Sequence, residues 1–550
     1  MTSIRANIVA IFAALPLAAC AAFVPISARA QAATPDVARM EQFIQARVAD
    51  KSFMGAVLIA RGDQVILSKG FGSANLEWNL PNTPDTKFRL GSVTKQFTAA
   101  AVLLLAERGK LALEDPIKKH WPDAPAAWDR ITIYHLLTHT SGIPNFTNYP
   151  EYMQAWKFMP TTAEKTIAYF RDKPLDFAPG ERMNYSNSGY VVLGYLVERL
   201  SGQSYANFVR ENIFRPLGMN DSGYDVNAAI LPKRAAGYTP GPNGLANAPY
   251  VDMTIPGGAG ALYSTTGDLL RWTQGLYGGK VLKAGSLAKM TTPNKNDYAF
   301  GLEVSAAGGR RIIRHSGGIE GFNTQLTYFP DSKITVAVLA NVNGNAPTQL
   351  AEVLGQLAHG DTVRTNAERA QIEVPRERLE RLVGSYEIAP TASMVITVEG
   401  NQLISRLGAQ PALPLFAETE TKFFPRVVEA QIEFELGADG KAAALVLSQN
   451  GQQRRAPRLA ERAAVTLPLA VLQRYPGTYQ IAPGFNLMIT LEDGQLVSQA
   501  TGQGKAPLFA EGEGRFFLKV ANAQIDFEGG ERVTGLILKQ GGREMRAPRQ

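Results

Sequence analysis

Arg89-Leu90-Gly91-Ser92-Val93-Thr94-Lys95 joins an irregular segment to a long apolar run, residues 96–108. The apolar residues of that run recur at helical spacing, which predicts a helix that begins close to Ser92. Backbone amides at a helix N-terminus point outward and favour developing negative charge. Lys95 lies three residues further on and returns to the same face of the helix, one turn above Ser92. The stretch therefore predicts a serine and a lysine held side by side.

This pairing is the arrangement that an activated serine requires. A lysine ammonium titrates near pH 10.4 and cannot act as a base at neutral pH. Burial against an apolar helix lowers its pKa by several units, so that a desolvated Lys95 becomes an activating base for Ser92. The same spacing recurs at Ser286–Lys289, where a solvated helix is the expected structure. The spacing alone is therefore not specific.

Two further motifs supply the missing context. Tyr185 and Asn187 lie in a loop that enters a second apolar helix, and functional residues are common at such places. The same spacing at Tyr205–Asn207 falls on a helical pattern and indicates packing. His315-Ser316-Gly317-Gly318 follows a predicted strand, Arg311–Arg314, and a glycine pair on a strand lets a substrate approach the backbone closely.

In this order, the S-x-x-K motif at Ser92, the Y-x-N motif at Tyr185 and the H-x-G motif at His315 resemble the three motifs of the serine β-lactamase and penicillin-binding superfamily. The similarity is closest to its class C β-lactamase-like branch. Leu136–Gly142 (LLTHTSG) and Gly257–Gly260 (GGAG) also resemble stretches of that branch. The resemblance covers about 330 residues and implies an α/β catalytic domain, an antiparallel sheet with helices plus a helical lobe.

The resemblance also implies a role for each motif residue. Ser92 would be acylated, while Lys95 and Tyr185 would share general-base and general-acid work. Asn187 would contact the substrate or Lys95. The backbone amides of Ser92 and Gly318 would form the oxyanion hole, with Gly317 beside them.

His315 departs from the β-lactamase pattern, which has a lysine at this place. Lysine is a fixed charge suited to a substrate carboxylate, whereas histidine is largely neutral at pH 7. The departure puts penicillin hydrolysis in doubt and resembles the esterase and D-aminopeptidase members, which carry histidine here. His139 is interpreted as structural, and no metal site or cofactor is expected.

The last third of the chain contains an internal repeat. Gly384-Ser385-Tyr386 recurs as Gly477-Thr478-Tyr479, an offset of 93 residues (384 to 477), and Phe423-Phe424 recurs as Phe516-Phe517 at the same offset. Short alternating runs with Gly, Asn and Asp turns predict antiparallel strands, and closure into a barrel removes exposed edges. The expected domains are a signal peptide (1–30), a β-lactamase-like domain (31–365) and two lipocalin-like β-barrel modules (375–461 and 467–550).

The N-terminal segment indicates export. Arg5 precedes an apolar run, Ile8–Val24, and Ala28-Arg29-Ala30 is a small-x-small cleavage site, as in a secretory signal. Leu17–Cys20 resembles a lipobox, so lipidation of Cys20 with membrane attachment is the alternative to a free periplasmic or secreted protein. The net charge of +7 is scattered over 56 basic and 49 acidic residues, which does not indicate a nucleic-acid partner.

The leading functional prediction is a peptidase or amidase for short peptides, including peptides with D-residues. A carboxylesterase with the same serine is the first alternative, and a slowly deacylating penicillin-binding or sensor protein is the second. A catalytic domain with two barrels resembles the D-aminopeptidase architecture, and linearised-microcystin peptidases are another candidate relative. The expected partner is a small peptide or ester substrate, the barrels are expected to restrict access to Ser92, and the sequence makes no prediction of oligomeric state.

Overall fold

The computed structural model describes residues 35–550 except 242, 365–367, 390–391, 409, 411, 427, 429, 450–451, 461, 483–484, 502–503, 520–521 and 541–542. The predicted signal peptide, with Cys20, lies outside the described residues. Among the helices that are described, none combines the length and the apolar character needed to cross a membrane.

A six-stranded antiparallel sheet forms the centre of the first domain. Its strands are β1 (Gly55–Arg61), β2 (Gln64–Phe71), β3 (Glu303–Ala307), β4 (Arg310–Ile319), β5 (Phe322–Phe329) and β6 (Ile334–Ala340). Their spatial order is β3-β4-β5-β6-β1-β2. Alternate residues of β1 serve two cores, because Ala56 and Leu58 face one hydrophobic cluster while Val57 and Ile59 face another. Arg61-Gly62-Asp63 and Pro330-Asp331-Ser332 each lie between two strand-like runs and predict two hairpins, which are confirmed as β1–β2 and β5–β6.

Helices cover both faces of this sheet. The terminal helices α1 (Val37–Ala49) and α4 (Ala346–His359) contribute to the core on one face. On the other side, α2 (Thr94–Glu107) is buried from Thr94 to Leu105 and packs against α3 (Asn187–Ser201) of the helical lobe. The shorter α-helices of this domain are Ile117–His120, Ile133–Leu137, Pro150–Gln154, Ala163–Ala168, Tyr205–Val209, Arg215–Leu217, Gly257–Gly260, Thr266–Tyr277 and Ala284–Met290.

Short strands and single helical turns complete the domain. The strands are Ser73–Asn75, Leu80–Pro81, Phe88–Arg89, Gly223–Tyr224, Tyr238–Gly241, Gly244–Asn247 and Leu262–Ser264. The turns are Gly91–Val93, Ala126–Trp128, Phe146–Asn148, Trp156–Phe158 and the π-helical Arg210–Phe214. Phe88–Arg89 pairs with Leu262–Ser264, which brings the segment before Ser92 against the segment after Gly260.

Two eight-stranded antiparallel meanders follow the first domain. A short helix precedes each one, Arg376–Glu380 and Leu469–Leu472. The first contains Gly384–Ala389, Ala392–Glu399, Gln402–Leu407, Leu413–Ala417, Lys422–Pro425, Ala430–Leu436, Ala442–Gln449 and Gln452–Pro457. The second contains Gly477–Ala482, Phe485–Glu492, Gln495–Ala500, Ala506–Gly512, Arg515–Leu518, Ala523–Glu528, Gly535–Gln540 and Arg543–Pro548.

The two meanders are nearly closed barrels with matching interiors. Tyr386 bridges to Arg458 at the seam of the first, and Tyr479 bridges to Arg549 at the seam of the second. Both tyrosine side chains are fully buried, and each hydroxyl donates a 2.7 Å hydrogen bond to the carbonyl four residues earlier. Apolar side chains fill both interiors. The predicted fold class, an α/β domain followed by two barrels, is confirmed.

Candidate active site

Ser92 lies in the tight turn Gly91–Val93, which leads directly into α2. Gly91 has a φ of 53°, a left-handed conformation that glycine adopts without steric cost. A Cβ added at Gly91 would lie 2.7 Å from the backbone nitrogen of Gly318. The absence of a side chain at Gly91 therefore lets the serine turn lie directly against β4.

Lys95 has three partners and no solvent exposure. Its Nζ lies 3.0 Å from Ser92 Oγ, 2.9 Å from Asn187 Oδ1 and 2.9 Å from the carbonyl oxygen of Ala259. Burial lowers the pKa of Lys95 well below its usual value. A neutral amine has two N–H groups and one lone pair. Because Asn187 Oδ1 and the Ala259 carbonyl can only accept, they take both N–H groups, and the lone pair is left for the hydroxyl proton of Ser92.

The orientation of Asn187 is fixed from outside the site. Asn187 is the first residue of α3, and its backbone N–H donates to Asn145 Oδ1 at 3.1 Å. Its Nδ2 donates to Thr147 Oγ1 at 3.2 Å. With the amide nitrogen engaged in this way, Oδ1 faces Lys95 as an acceptor.

Tyr185 completes the group around the serine. Its hydroxyl interacts electrostatically with the Ser92 side chain, and its ring centroid lies 4.8 Å from Lys95 Nζ. Burial raises the pKa of Tyr185 above its usual value of 10, so the phenol keeps its proton at neutral pH. The two shifts separate the roles, since the amine of Lys95 is the available base and the phenol of Tyr185 is the available acid.

Strand β4 presents an open backbone edge to Ser92. The pairing of β3 with β4 ends at Arg314, so none of the strands that the structure describes pairs with His315–Ile319 on that side. Ile319 pairs with Phe322 across a two-residue turn, which makes Gly318 part of a non-hydrogen-bonded pair whose amide points away from β5. A substrate carbonyl placed between Ser92 and β4 would therefore meet the Gly318 N–H.

Gly317 is required by close packing. A Cβ at this position would lie 2.0 Å from the carbonyl oxygen of Leu90 and 2.3 Å from Thr324 Oγ1. The Thr324 hydroxyl donates to that same carbonyl at 2.8 Å. Gly317 thus sets how closely β4 approaches the residue just before the serine turn, and its own contacts are with the protein.

His315 lies behind the site. The ring is 2% exposed, its Nδ1 lies 2.6 Å from the Ser316 carbonyl oxygen, and its Nε2 lies 3.0 Å from the Tyr298 hydroxyl. A carbonyl only accepts, so Nδ1 carries the proton and Nε2 accepts from Tyr298. Burial and the neighbouring Lys95 lower the pKa of His315 to about 3. The ring is therefore neutral at pH 7 and supports the strand, and its predicted contact with the substrate stays a prediction.

Three residues that the motif argument did not assign to the site surround Lys95 and Tyr185. The ring of His139 lies 4.3 Å from that of Tyr185, and its Nδ1 accepts from the Ser186 N–H at 3.1 Å. The ring of Tyr190 lies 5.5 Å from Lys95 Nζ. Tyr298 meets both His139 and Tyr185. Only His139 had a sequence signal, its place in the LLTHTSG stretch, and the structure gives it a positioning role.

Two cavities each have a residue of the catalytic group in their walls. The smaller, of about 200 Å³, contains Ser92 and is lined by Gly91, Ser92, Phe146, Thr147, Tyr152, Asn187, Pro256, Ala259, Gly260, Gly318, Ile319 and Glu320. The larger, of about 550 Å³, has Tyr185 in its wall together with Tyr298 and Glu303. Within the described residues, no group of three or more His, Cys, Asp or Glu side chains is placed to hold a metal ion.

Comparison with known proteins identifies the family. The beta-lactamase family model matches residues 40–359, more than half of the chain. This chain belongs to the beta-lactamase family. The rest of this beta-lactamase family member matches a domain of unknown function, DUF3471, twice, over residues 368–456 and 461–547. These two DUF3471 matches coincide with the two barrels, one match to each barrel.

Named relatives of this family member extend over both regions. Penicillin-binding protein 4* of Bacillus subtilis is 31% identical in an alignment of 437 residues, and this alignment covers 74% of this chain and 95% of the relative. The octameric penicillin-binding protein homologue from Pyrococcus abyssi is 28% identical with a TM-score of 0.56, covering 84% of this chain and 98% of that one. A D-stereospecific amidohydrolase from Streptomyces is 26% identical with a TM-score of 0.51, covering 58% of this chain and 98% of that one.

These relatives are consistent with the resemblance seen in the motifs. Penicillin-binding proteins and an amidohydrolase share the fold of this beta-lactamase family member. The protein is a serine hydrolase of this family.

Proposed function

We propose that this protein is a peptidase or amidase that forms an acyl-enzyme at Ser92 and acts on short peptides, including peptides with D-configured residues. The observation that carries the proposal is the set of three contacts at Lys95. Two carbonyl-type acceptors orient a fully buried amine so that its lone pair faces Ser92 Oγ. The similarity to a D-stereospecific amidohydrolase supports the amide and D-residue part of the proposal.

Acylation follows from these positions. Lys95 takes the Ser92 hydroxyl proton while Oγ attacks the substrate carbonyl carbon. The N–H groups of Ser92 and Gly318 stabilise the oxyanion, at about 3–4 kcal/mol per donor in other enzymes. As the tetrahedral intermediate collapses, the C–N bond breaks and Tyr185 gives its proton to the leaving amine. The proton held by Lys95 then passes to Tyr185, whose ring centroid lies 4.8 Å from Lys95 Nζ.

Deacylation uses the same groups in reverse order. Water takes the place of the leaving amine on the Tyr185 side and loses a proton to Lys95 as it attacks the ester carbonyl. The Ser92 oxygen leaves and takes this proton from Lys95. This step releases the carboxylic acid product and restores the enzyme. The neutral His315 provides no fixed charge for the carboxylate of a penicillin, which supports a peptide over a β-lactam as substrate.

Hydrolysis assays with a matched serine control test the proposal. Wild type, Ser92→Ala and Ser286→Ala are compared on p-nitrophenyl esters and on D- and L-amino-acid p-nitroanilides. Ser92→Ala is expected to lose at least about 1,000-fold in kcat, as for other serine nucleophiles. Ser286 has the same S-x-x-K spacing on the helix Ala284–Met290, away from the site, and its variant should keep wild-type turnover. An active Ser92→Ala protein with an intact fold would contradict the proposal.

Product identification and mass spectrometry separate the amide reaction from its alternatives. Digestion of a short-peptide library by wild type should release amines, and a mass increase on Ser92 should appear in rapidly quenched samples. Turnover of esters with no turnover of any amide would instead assign a carboxylesterase. The export of the protein is proposed from residues 1–30 and is tested by fractionating the host cells.

A further inference from the structure

We infer that Glu320 recognises a positively charged amine on the acyl part of the substrate, so that Ser92 attacks the carbonyl of an N-terminal residue. The inference rests on the proposed function and adds to it the end of the peptide that enters the smaller cavity. Glu320 lies two residues beyond Gly318, in the turn that joins β4 to β5, and it lines the same cavity as Ser92.

Among the described residues, the wall of the smaller cavity carries a negative charge. Of the described residues in its wall, Glu320 is the one with an ionisable acidic or basic side chain. Its partner Lys157 donates to Oε1 at 3.1 Å from behind, with 5% of the lysine side chain exposed against 18% of the glutamate side chain. A carboxylate offers about four lone-pair positions, so one N–H from Lys157 leaves room for a second donor from the cavity. The group that reaches the substrate is therefore an anion held in place by a buried cation.

The position of Tyr185 decides which part of the substrate faces Glu320. Tyr185 gives its proton to the leaving amine and lines the larger cavity, which does not contain Ser92 among its wall residues. We therefore place the leaving group on the side of the cavity of about 550 Å³, whose wall contains Tyr185, and the acyl group in the cavity of about 200 Å³, whose wall contains Ser92. The cavity of about 200 Å³ is smaller than drug-sized ligand pockets, which have volumes of roughly 300–1,000 Å³. It fits the acyl part of a single residue whose α-ammonium meets Glu320.

The acyl side also has a fixed end wall. Lys157 belongs to the turn Trp156–Phe158 of the helical lobe, and its carbonyl oxygen accepts from the Asp252 N–H at 2.8 Å. The pair Lys157–Glu320 therefore connects the lobe to the β4–β5 turn. A chain extended beyond the N-terminal residue would have to pass through this ion pair, and separating a buried pair costs several kcal/mol.

Matched substrates test this inference. Free amino-acid p-nitroanilides of both configurations are compared with their N-acetyl derivatives, which lack the ammonium charge. Wild type is expected to prefer the free amines, and Glu320→Gln to lose about 10- to 100-fold in kcat/KM on them, the range of a charge-assisted hydrogen bond. Its kcat/KM on N-acetyl substrates should stay unchanged. Glu41→Gln, which neutralises a Lys–Glu pair between α1 and β2, serves as the control and should keep the wild-type ratio.

Binding to an inactive protein provides a second measurement. In Ser92→Ala, an amino-acid amide should bind with calorimetric heat that is lost on N-acetylation and lost on adding Glu320→Asp or Glu320→Gln. The affinity of the free amine should fall above about pH 8, where an α-amino group loses its charge. Equal loss on both substrate classes, or a wild-type enzyme that prefers N-acetyl substrates, would overturn the inference alone. Wild-type inactivity on every acyl substrate would overturn the proposed function, while the binding data would still decide on Glu320.

Discussion

Lys95 and Tyr185 illustrate how burial assigns chemical roles to single residues. Burial disfavours the charged form of each, which lowers the pKa of the lysine and raises the pKa of the tyrosine. Both shifts favour the neutral form, which leaves the amine able to accept a proton and the phenol able to give one. Because both interact with Ser92, the proposed mechanism treats them as one proton-transfer unit.

This unit predicts non-additive substitutions. Lys95→Met and Tyr185→Phe should each lower kcat by orders of magnitude, and the double variant should lose little more, because neither proton transfer proceeds without the other. Single-turnover kinetics on a p-nitroanilide measure the effect. Tyr205→Phe is the matched control, since Tyr205 has the same Y-x-N spacing but its hydroxyl contacts Thr98. Losses that add in free energy would show that the two residues act in separate steps.

His315 predicts a loss of stability in acid. The pKa of His315 is about 3 in the folded protein, whereas an unperturbed histidine titrates near 6.5. Between these values the unfolded chain binds more protons than the folded one, so the free energy of unfolding falls as pH drops. At pH 4.5 the loss from this residue is about 2–3 kcal/mol, at 1.36 kcal/mol per pKa unit. Urea denaturation of wild type and His315→Asn at pH 7 and 4.5 should show the smaller drop for the variant, and equal drops would refute the assignment.

At the scale of elements, the site depends on the contact between β4 and the turn before α2. Gly91 and Gly317 allow this contact from its two sides, since a Cβ on either would meet backbone atoms of the other segment. Because the Gly318 amide and Ser92 belong to the two segments, their separation would set the width of the proposed oxyanion hole.

Gly317→Ala is expected to force the two elements apart. A Cβ 2.0 Å from the Leu90 carbonyl cannot be accommodated without backbone movement, and overpacking of this kind costs about 1–3 kcal/mol. Thermal unfolding and kcat should therefore both fall. Gly285→Ala, on the exposed helix Ala284–Met290 with nothing within 4 Å of its added Cβ, should instead keep activity and gain up to about 1 kcal/mol. A Gly317→Ala enzyme with wild-type kcat would show that the contact is not essential.

At the scale of the whole molecule, the barrels stand apart from the smaller cavity. The described residues in the wall of that cavity all lie between Gly91 and Glu320. The first barrel instead borders a cavity of about 620 Å³ with α1 and α4, and the β3–β4 turn at Ala307–Gly308 lies in the walls of both this cavity and the larger active-site cavity. The predicted restriction by the barrels therefore has a route on the leaving-group side.

Removal of both barrels tests this route. The catalytic domain has its own hydrophobic clusters, separate from those of the barrels, so a chain ending at residue 364 is expected to fold. Circular dichroism checks that expectation. The truncated enzyme should keep its turnover of small esters and accept longer leaving groups, while its selectivity for the acyl residue stays the same. Unchanged selectivity for leaving-group length would reject a gating role for the barrels.

Local sequence patterns were sufficient for several parts of this molecule. The helix after Ser92, the two hairpins of the sheet and the duplicated barrels follow from periodicity, turn residues and a repeat, all of which act over short distances along the chain. The S-x-x-K and Y-x-N motifs also named the side chains that meet at Lys95. Such features are readable because each depends on the residues next to it.

Tertiary structure alone brought together the groups that give those motifs their chemistry. The Ala259 carbonyl, Tyr298 and the pair Lys157–Glu320 come from segments far apart in the chain, and no spacing rule connects them. The pKa values of Lys95 and His315 depend on full burial, which results from packing of the sheet against the helical lobe. A desolvation energy belongs to the surroundings of a residue in space, and it therefore exists only once the whole domain has folded.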